Sequence, residues 1–250
     1  MSGHSKWSTI KHQKARTDAK RGKVFTKIIR DLMTAARMGG GDVNSNSSLR
    51  LAVDLARKEN MPKDTMERAI KRGTGEIEGA DYVEKTYEGY APNGVAVIVK
   101  TLTDNGTRTV TNVRTAFNKN GGNMGNDGTV AWMFEEKGVI IYDQKIGDED
   151  SVMEIAIESG ADDFEPEGEI YKVITAVSDF GTVRDALEEK YGKAIEADLS
   201  YIPTQMQAVE TAEQAESVLR LVAALDDDDD VQDVTINMDM PEEVAAKLSA

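Results

Sequence analysis

VIIYDQKIGDEDSVMEIAIESGADDFEPEGEIYKVITAVSDFGTVRDALEEKYGKAIEADLSYI, residues 139–202, changes period in an order that decides the fold. Val139–Tyr142 is an apolar strand. A helix follows from about Ser151, where Ser151 and Glu154 fit a capping box. Short strands then fall near Asp163–Glu165 and Ile170–Val177. A second helix starts near Thr182 and stops at Gly192, and a last strand spans Ala197–Ile202 before Pro203. The order β-α-β-β-α-β is that of a split βαβ, ferredoxin-like sandwich.

The flanking segments read outward from this unit. Upstream, Thr86–Tyr90 and Val95–Thr103 form two strands joined by the turn cluster Ala91-Pro92-Asn93-Gly94. Thr107 is placed to cap a helix that turns Val110, Val113 and Phe117 inward. A Gly-rich loop, Gly125–Gly128, precedes a strand at Thr129–Phe134. Downstream, a helix at Thr211–Leu225 and a strand at Val231–Met238 supply what the upstream unit lacks. The expected middle domain is therefore discontinuous, 81–134 with 206–240, and 135–205 is inserted into it. Residues 241–250 are left as a C-terminal tail. Short connections and neighbouring domain ends permit such an insertion.

The N-terminal eighty residues have another character. Phe25, Ile28, Ile29, Leu32, Ala35 and Ala36 recur at helical spacing until Gly39-Gly40-Gly41. Ser47 or Ser48 is placed to cap a second helix with Leu49, Ala52, Val53 and Ala56 on one face. Pro62 opens a third, with Met66, Ala69 and Ile70 inward and Gly73 at its end. Residues 1–80 thus form a basic helical domain. The fold class is α+β: a helical bundle followed by two α/β sandwich domains of ferredoxin-like type, the middle one discontinuous.

Charge is distributed as unevenly as structure. The chain nets −15 over 250 residues. Residues 1–80 carry seventeen Lys/Arg against nine Asp/Glu, and the remaining 170 carry thirteen against thirty-six. A head at +8 seeks phosphate, and a body at −23 is repelled by it. The cations at Lys6, Lys11, Lys14, Arg16, Lys20, Arg21, Lys23, Lys27 and Arg30 are interleaved with His4, Trp7 and His12. Lysine and arginine neutralise phosphates, and aromatic rings stack on bases or riboses. These twelve residues are the expected nucleic-acid contacts. The stretch 1–22 lacks the wide apolar face that membrane binding needs.

Catalytic and metal-binding patterns are missing. The chain has no cysteine, no GxxxxGK[ST], no GxGxxG and no GxSxG. Its two histidines, His4 and His12, both lie in the basic stretch. Asp226–Asp230 fails as an EF-hand loop, since Val231 and Asn237 stand where glycine and glutamate are required; it reads as a solvated acidic turn. The loop Gly121–Gly128, GGNMGNDG, allows two readings: a phosphate cradle of backbone N–H groups, or a turn whose glycines supply positive φ. No enzyme, cofactor, metal or small-molecule substrate is indicated. The charged N-terminus and the short apolar runs point to a cytoplasmic protein, in which the sequons at Asn46 and Asn105 carry no weight.

GHSKW at 3–7, IKHQKARTDAKRGKVFTKIIRDLMTAAR at 10–37, GGGD at 39–42, YEGYAPNGVAVIV at 87–99, GGNMGNDGTVAWMFEEKGVI at 121–140 and YIPTQ at 201–205 closely resemble the YebC/PmpR family of bacterial regulatory proteins. Met124 and Thr129 stand where that pattern has Leu and Ser. The resemblance implies three domains and a cytoplasmic, non-enzymatic regulator of DNA-binding type. It also implies similarity to the mitochondrial translational activator of cytochrome c oxidase. A translation factor on ribosomal RNA, relieving stalling on the ribosome, is therefore the alternative to a transcriptional regulator. A protein-interaction module without nucleic-acid binding is a third reading.

Overall fold

The computed structural model describes residues 21–78 and 82–249. Three helices come first: α1 (Arg21–Gly39), α2 (Ser47–Lys58) and α3 (Lys63–Gly73). Their apolar stripes meet in one core that includes Ile28, Leu32, Leu49, Val53, Met66 and Ala69. The cap of α2 is Asn46, one residue before the expected serines. Its side-chain oxygen accepts the Leu49 N–H at 3.0 Å, and its amide donates to the Ala35 and Gly40 carbonyls at 2.8 Å each. One side chain thereby starts α2 and satisfies the end of α1, which a serine hydroxyl is too short to do. Helix α3 crosses α1 at Gly73, where an added Cβ would stand 2.3 Å from the Met33 carbonyl oxygen.

Strands β1 (Val83–Tyr90) and β2 (Ala96–Thr103) form an antiparallel hairpin. Asn93 and Gly94 both take positive φ in its turn, 64° and 74°. Helix α4 (Gly106–Lys119) follows, capped by Asn105 and not by Thr107: the Asn105 side chain accepts the Arg108 N–H at 3.1 Å. Both sequon asparagines are thus helix caps. The short β3 (Asn123–Met124) pairs with β1. Beyond the intervening unit, β8 (Gln207–Ala208) pairs with β10 (Met238–Asp239). Helix α7 (Ala212–Asp226) is followed by β9 (Val231–Ile236), which joins β2. The resulting sheet runs β3-β1-β2-β9. Val113 and Phe117 of α4 and Val218, Leu221, Val222 and Leu225 of α7 are buried in one core with Val97 and Val99.

Two segments near the C-terminal end differ from expectation. Residues 241–250, expected as a tail, contain helix α8 (Glu242–Ser249), and its Val244 is buried in the same core. The strand expected at Val231–Met238 breaks at Asn237. That side chain accepts the Ala96 N–H at 2.7 Å and donates to the Gln205 carbonyl at 2.9 Å, taking the place of ladder bonds.

The chain separates into two compact units: Phe134–Ile202 is one, and the segments before and after it make the other. Phe134–Ile202 holds β4 (Phe134–Asp143), α5 (Glu149–Glu158), β5 (Asp163–Glu167), β6 (Ile170–Thr175), α6 (Phe180–Tyr191) and β7 (Glu196–Pro203). Its sheet order, β5-β6-β4-β7, is the ferredoxin-like one. The cap of α5 is Asp148, whose carboxylate accepts the Ser151 N–H at 3.0 Å, so the helix begins before the expected capping box.

Replacing Gly73 by alanine is expected to lower the stability of the helical bundle by about 1–3 kcal/mol, since backbone must move to admit the methyl group. Chemical denaturation followed by circular dichroism measures it.

Candidate nucleic-acid interface

Of the twelve expected contacts, His4, Lys6, Trp7, Lys11, His12, Lys14, Arg16 and Lys20 lie outside the described residues. Arg21 and Lys23 fall in the first turn of α1. Lys27 is half-buried, and its ammonium lies 3.4 Å from the Asp226 carbonyl.

Arg30 corrects the expectation. It is 7% exposed, and its guanidinium is committed to the sheet domain. Nη1 lies 3.0 Å from Asp230 Oδ1, donates to the Leu102 carbonyl at 3.3 Å and also donates to the Asp229 carbonyl. The same guanidinium stands 5.2 Å from the centre of the Tyr82 ring. A cation so enclosed and neutralised has no charge left for phosphate.

Asp230 is the other half of this site, at 1% exposure. Arg108 approaches from α4, with Nη2 2.7 Å from Oδ1 and Nε 3.0 Å from Oδ2. The hydroxyls of Thr109 and Thr103 donate to Oδ2 at 2.8 and 3.3 Å. The end of the acidic run is therefore not a solvated turn. Burial raises the Asp230 pKa, but the hydrogen bonds from Arg108 and Thr109 and the charges of Arg30 and Arg108 outweigh it, so the carboxyl is held below its usual value.

The ambiguous glycine loop is also resolved. Along β1, Gly89 faces Phe117 of α4, so Glu88 lies on the opposite side of the sheet. Residues 128–131 fold against it there. The Glu88 carboxylate accepts the N–H groups of Gly128, Val130 and Ala131, each at 2.7 Å, and is 8% exposed. An internal carboxylate thus occupies the cradle that a phosphate would need. It also explains why the strand expected at Thr129–Phe134 does not form before Phe134, where β4 begins: the Val130 and Ala131 amides are taken, and Ala131–Met133 closes into a 3₁₀ turn.

The described basic surface is on α3. Arg68, Lys71 and Arg72 stand at i, i+3 and i+4, all exposed, opposite the buried Met66 and Ala69. Arg72 and Arg37, in the last turns of α3 and α1, line one open groove. The stripe is visible in MERAIKR as cations out of phase with the apolar residues. Among the described residues no group of three or more His, Cys, Asp or Glu is arranged to hold a metal ion. No described helix is long and apolar enough to cross a membrane.

Asp230→Asn should cost about 3–5 kcal/mol at neutral pH, because it leaves the buried Arg30 without its counter-charge and removes the anion that Arg108 pairs with from the surface. The lowered pKa fixes the sign with acid. The contribution of Asp230 is complete above the unfolded-state value of about 3.9 and is lost as pH falls through the folded-state value below it. Urea titrations of both proteins between pH 7 and pH 2 should therefore converge at the acid end. Glu88→Ala should speed amide hydrogen exchange at Gly128, Val130 and Ala131, measured by NMR, with little change in α3.

The family model for the TACO1/YebC N-terminal domain matches residues 5–76, and that for the TACO1/YebC second and third domains matches residues 82–238. Proteins named "probable transcriptional regulatory protein" are similar along their whole length. One from Acidithiobacillus ferrooxidans is 54% identical over 250 residues, covering 100% of this chain and 99% of that one. Another from Desulforapulum autotrophicum is 52% identical over 244 residues, covering 98% of each. The crystal structure of a conserved hypothetical protein from Aquifex aeolicus superposes with a TM-score of 0.84 at 42% identity, covering 91% of this chain and 94% of that one. The chain belongs to the TACO1/YebC family.

Proposed function

We propose that the chain is a non-enzymatic, cytoplasmic regulator of gene expression that binds nucleic acid through its basic N-terminal domain, residues 1–80. The observation that carries this is the charge division between +8 and −23, together with the exposed Arg68, Lys71 and Arg72 stripe on α3. Cations on one outer face of a small bundle neutralise phosphates, and the acidic remainder keeps the rest of the chain off the polyanion. Arg68 and Arg72 also offer the forked donors that pair with guanine edges. The relatives' names favour promoter DNA as the target. The resemblance to a mitochondrial translational activator favours ribosomal RNA, which offers phosphate and 2′-hydroxyl along a shape that a basic surface can follow. In this reading 81–134 with 206–240 is the scaffold that fixes the bundle through Arg30, and 135–205 is a separate inserted domain.

Binding to labelled duplex DNA and to a structured RNA, measured by fluorescence anisotropy over a salt series, tests the reading. The logarithm of affinity should fall linearly with that of salt. Arg68→Glu/Lys71→Glu/Arg72→Glu should weaken binding at least tenfold and reduce the salt slope by about one per lost phosphate contact. Lys20→Glu/Arg21→Glu/Lys23→Glu should do the same. Unchanged binding in both triple variants would remove the N-terminal domain as the contact surface. The tighter of the two ligands at physiological salt distinguishes transcription from translation.

A further inference from the structure

The inserted sandwich carries a second surface of opposite character. Helices α5 and α6 pack side by side, and a Cβ on Gly160, just after α5, would lie 4.0 Å from that of Asp179, just before α6. The end of α5 is thus beside the start of α6. On α5, Val152 and Ala156 are buried. Met153 and Ile157, at i and i+4, face solvent at 39% and 50% exposure. Val177 lies two residues before Asp179 and is 45% exposed, so it stands at the same end as Ile157. Three large apolar side chains, each more than a third exposed, therefore stand on one face where water still wets them.

The rim of this apolar ridge is of one sign. Glu149, Asp150, Glu154 and Glu158 are exposed along α5, which has no Lys or Arg, and Asp179 stands beside its end. Four cations elsewhere in the unit are held by other carboxylates: Lys137 by Asp162 at 3.1 Å, Lys145 by Asp143 at 3.2 Å, Lys172 by Glu165 at 3.0 Å and Arg184 by Asp185 at 2.6 Å; Lys190, near the far end of α6 from Asp179, lies over the Tyr191 ring at 5.4 Å. Phosphate-bearing partners, nucleic acid and anionic lipid alike, are repelled here. A second copy of the same face would set carboxylates against carboxylates.

We propose that the α5 face of the inserted sandwich docks a basic, amphipathic segment of a partner protein. Its apolar side chains would cover Met153, Ile157 and Val177, and its lysines or arginines would pair with Glu154, Glu158 and Asp179. This is helix-on-ridge recognition, with the apolar anchors central and the ion pairs at the rim. It stands independently of the nucleic-acid reading, since no residue is shared. Together the two give the protein a basic end for a polyanion and an acidic domain for a basic protein.

The test uses the full chain and a fluorescein-labelled helical peptide of leucine and lysine, with a second peptide in which every leucine is serine. Anisotropy at physiological salt should show binding of the leucine peptide and at least tenfold weaker binding of the serine peptide. Met153→Ser/Ile157→Ser should weaken the leucine peptide about tenfold, as loss of central anchors does. Glu154→Lys/Glu158→Lys should do likewise. Glu213→Lys/Glu216→Lys, the same charge change on exposed positions of α7, should leave binding unchanged. All these positions are on the surface, and thermal unfolding should confirm that the variants remain folded. Equal loss in the α7 control, or equal binding of the two peptides, would reduce the effect to overall charge and overturn the proposal. Sedimentation velocity closes the remaining route: self-association of the wild type that Met153→Ser/Ile157→Ser abolishes would give the face to a second copy of the chain and overturn it too.

Discussion

A single buried carboxylate organises the larger unit. Asp230 holds Arg30 of the helical bundle and Arg108 of the sheet domain at 3.0 and 2.7 Å, and takes two threonine hydroxyls besides. A charge so enclosed is tolerable only when its partners are fixed, and the partners here come from three rigid elements, α1, β2 and α4. Helix α1 therefore has a defined seat against the β2 and β9 end of the sheet. The Lys27 ammonium at the Asp226 carbonyl and the Gln232 amide at the Lys27 carbonyl extend the same seam. The basic domain is consequently presented from a fixed base. The proposed phosphate recognition would gain from that arrangement, because contacts held in register lose less entropy on binding than contacts made by a loose domain.

The architecture was legible where local signals and tertiary demand agree. Apolar residues at helical spacing marked α1, α2 and α3, glycines marked their ends, and alternation with a turn cluster marked the β1–β2 hairpin. The ferredoxin-like order of the inserted unit followed from periods alone. Caps were less legible. Ser47, Thr107 and Ser151 are good capping residues, yet Asn46, Asn105 and Asp148 won, because each reaches the third amide of its helix and Asn46 also closes α1. Local propensity does not weigh such second duties. Helix α8 was missed because Val244 is a thin apolar signal until the core that receives it is known.

The site was harder to read than the fold. Arg30 belongs by sequence to the basic run, and only its contact with a residue 200 positions away removes it from the interface. Asp230 belongs by sequence to a polar run of five, and only the seam buries it. Glu88 reads as an ordinary strand residue, although its carboxylate ties down the end of GGNMGNDG and the turn that follows it. All three depend on long-range contacts, an ion pair for Arg30 and Asp230 and backbone amides for Glu88, which composition and periodicity do not encode. Arg68, Lys71 and Arg72 were accessible to local reasoning, since their spacing is helical. What remains on the surface is a cationic stripe on the bundle and, on the inserted sandwich, an acidic face with an apolar ridge.

The measurement that bears most directly on the central claim is in-cell crosslinking followed by sequencing of the attached nucleic acid. The wild type would be compared with the Lys20→Glu/Arg21→Glu/Lys23→Glu variant. The account predicts discrete crosslinked sequences that are lost in the variant, with promoter DNA marking a transcriptional role and ribosomal RNA a translational one. Crosslinks of equal yield and position in both proteins, or none in either, would contradict a function carried by the basic N-terminal domain.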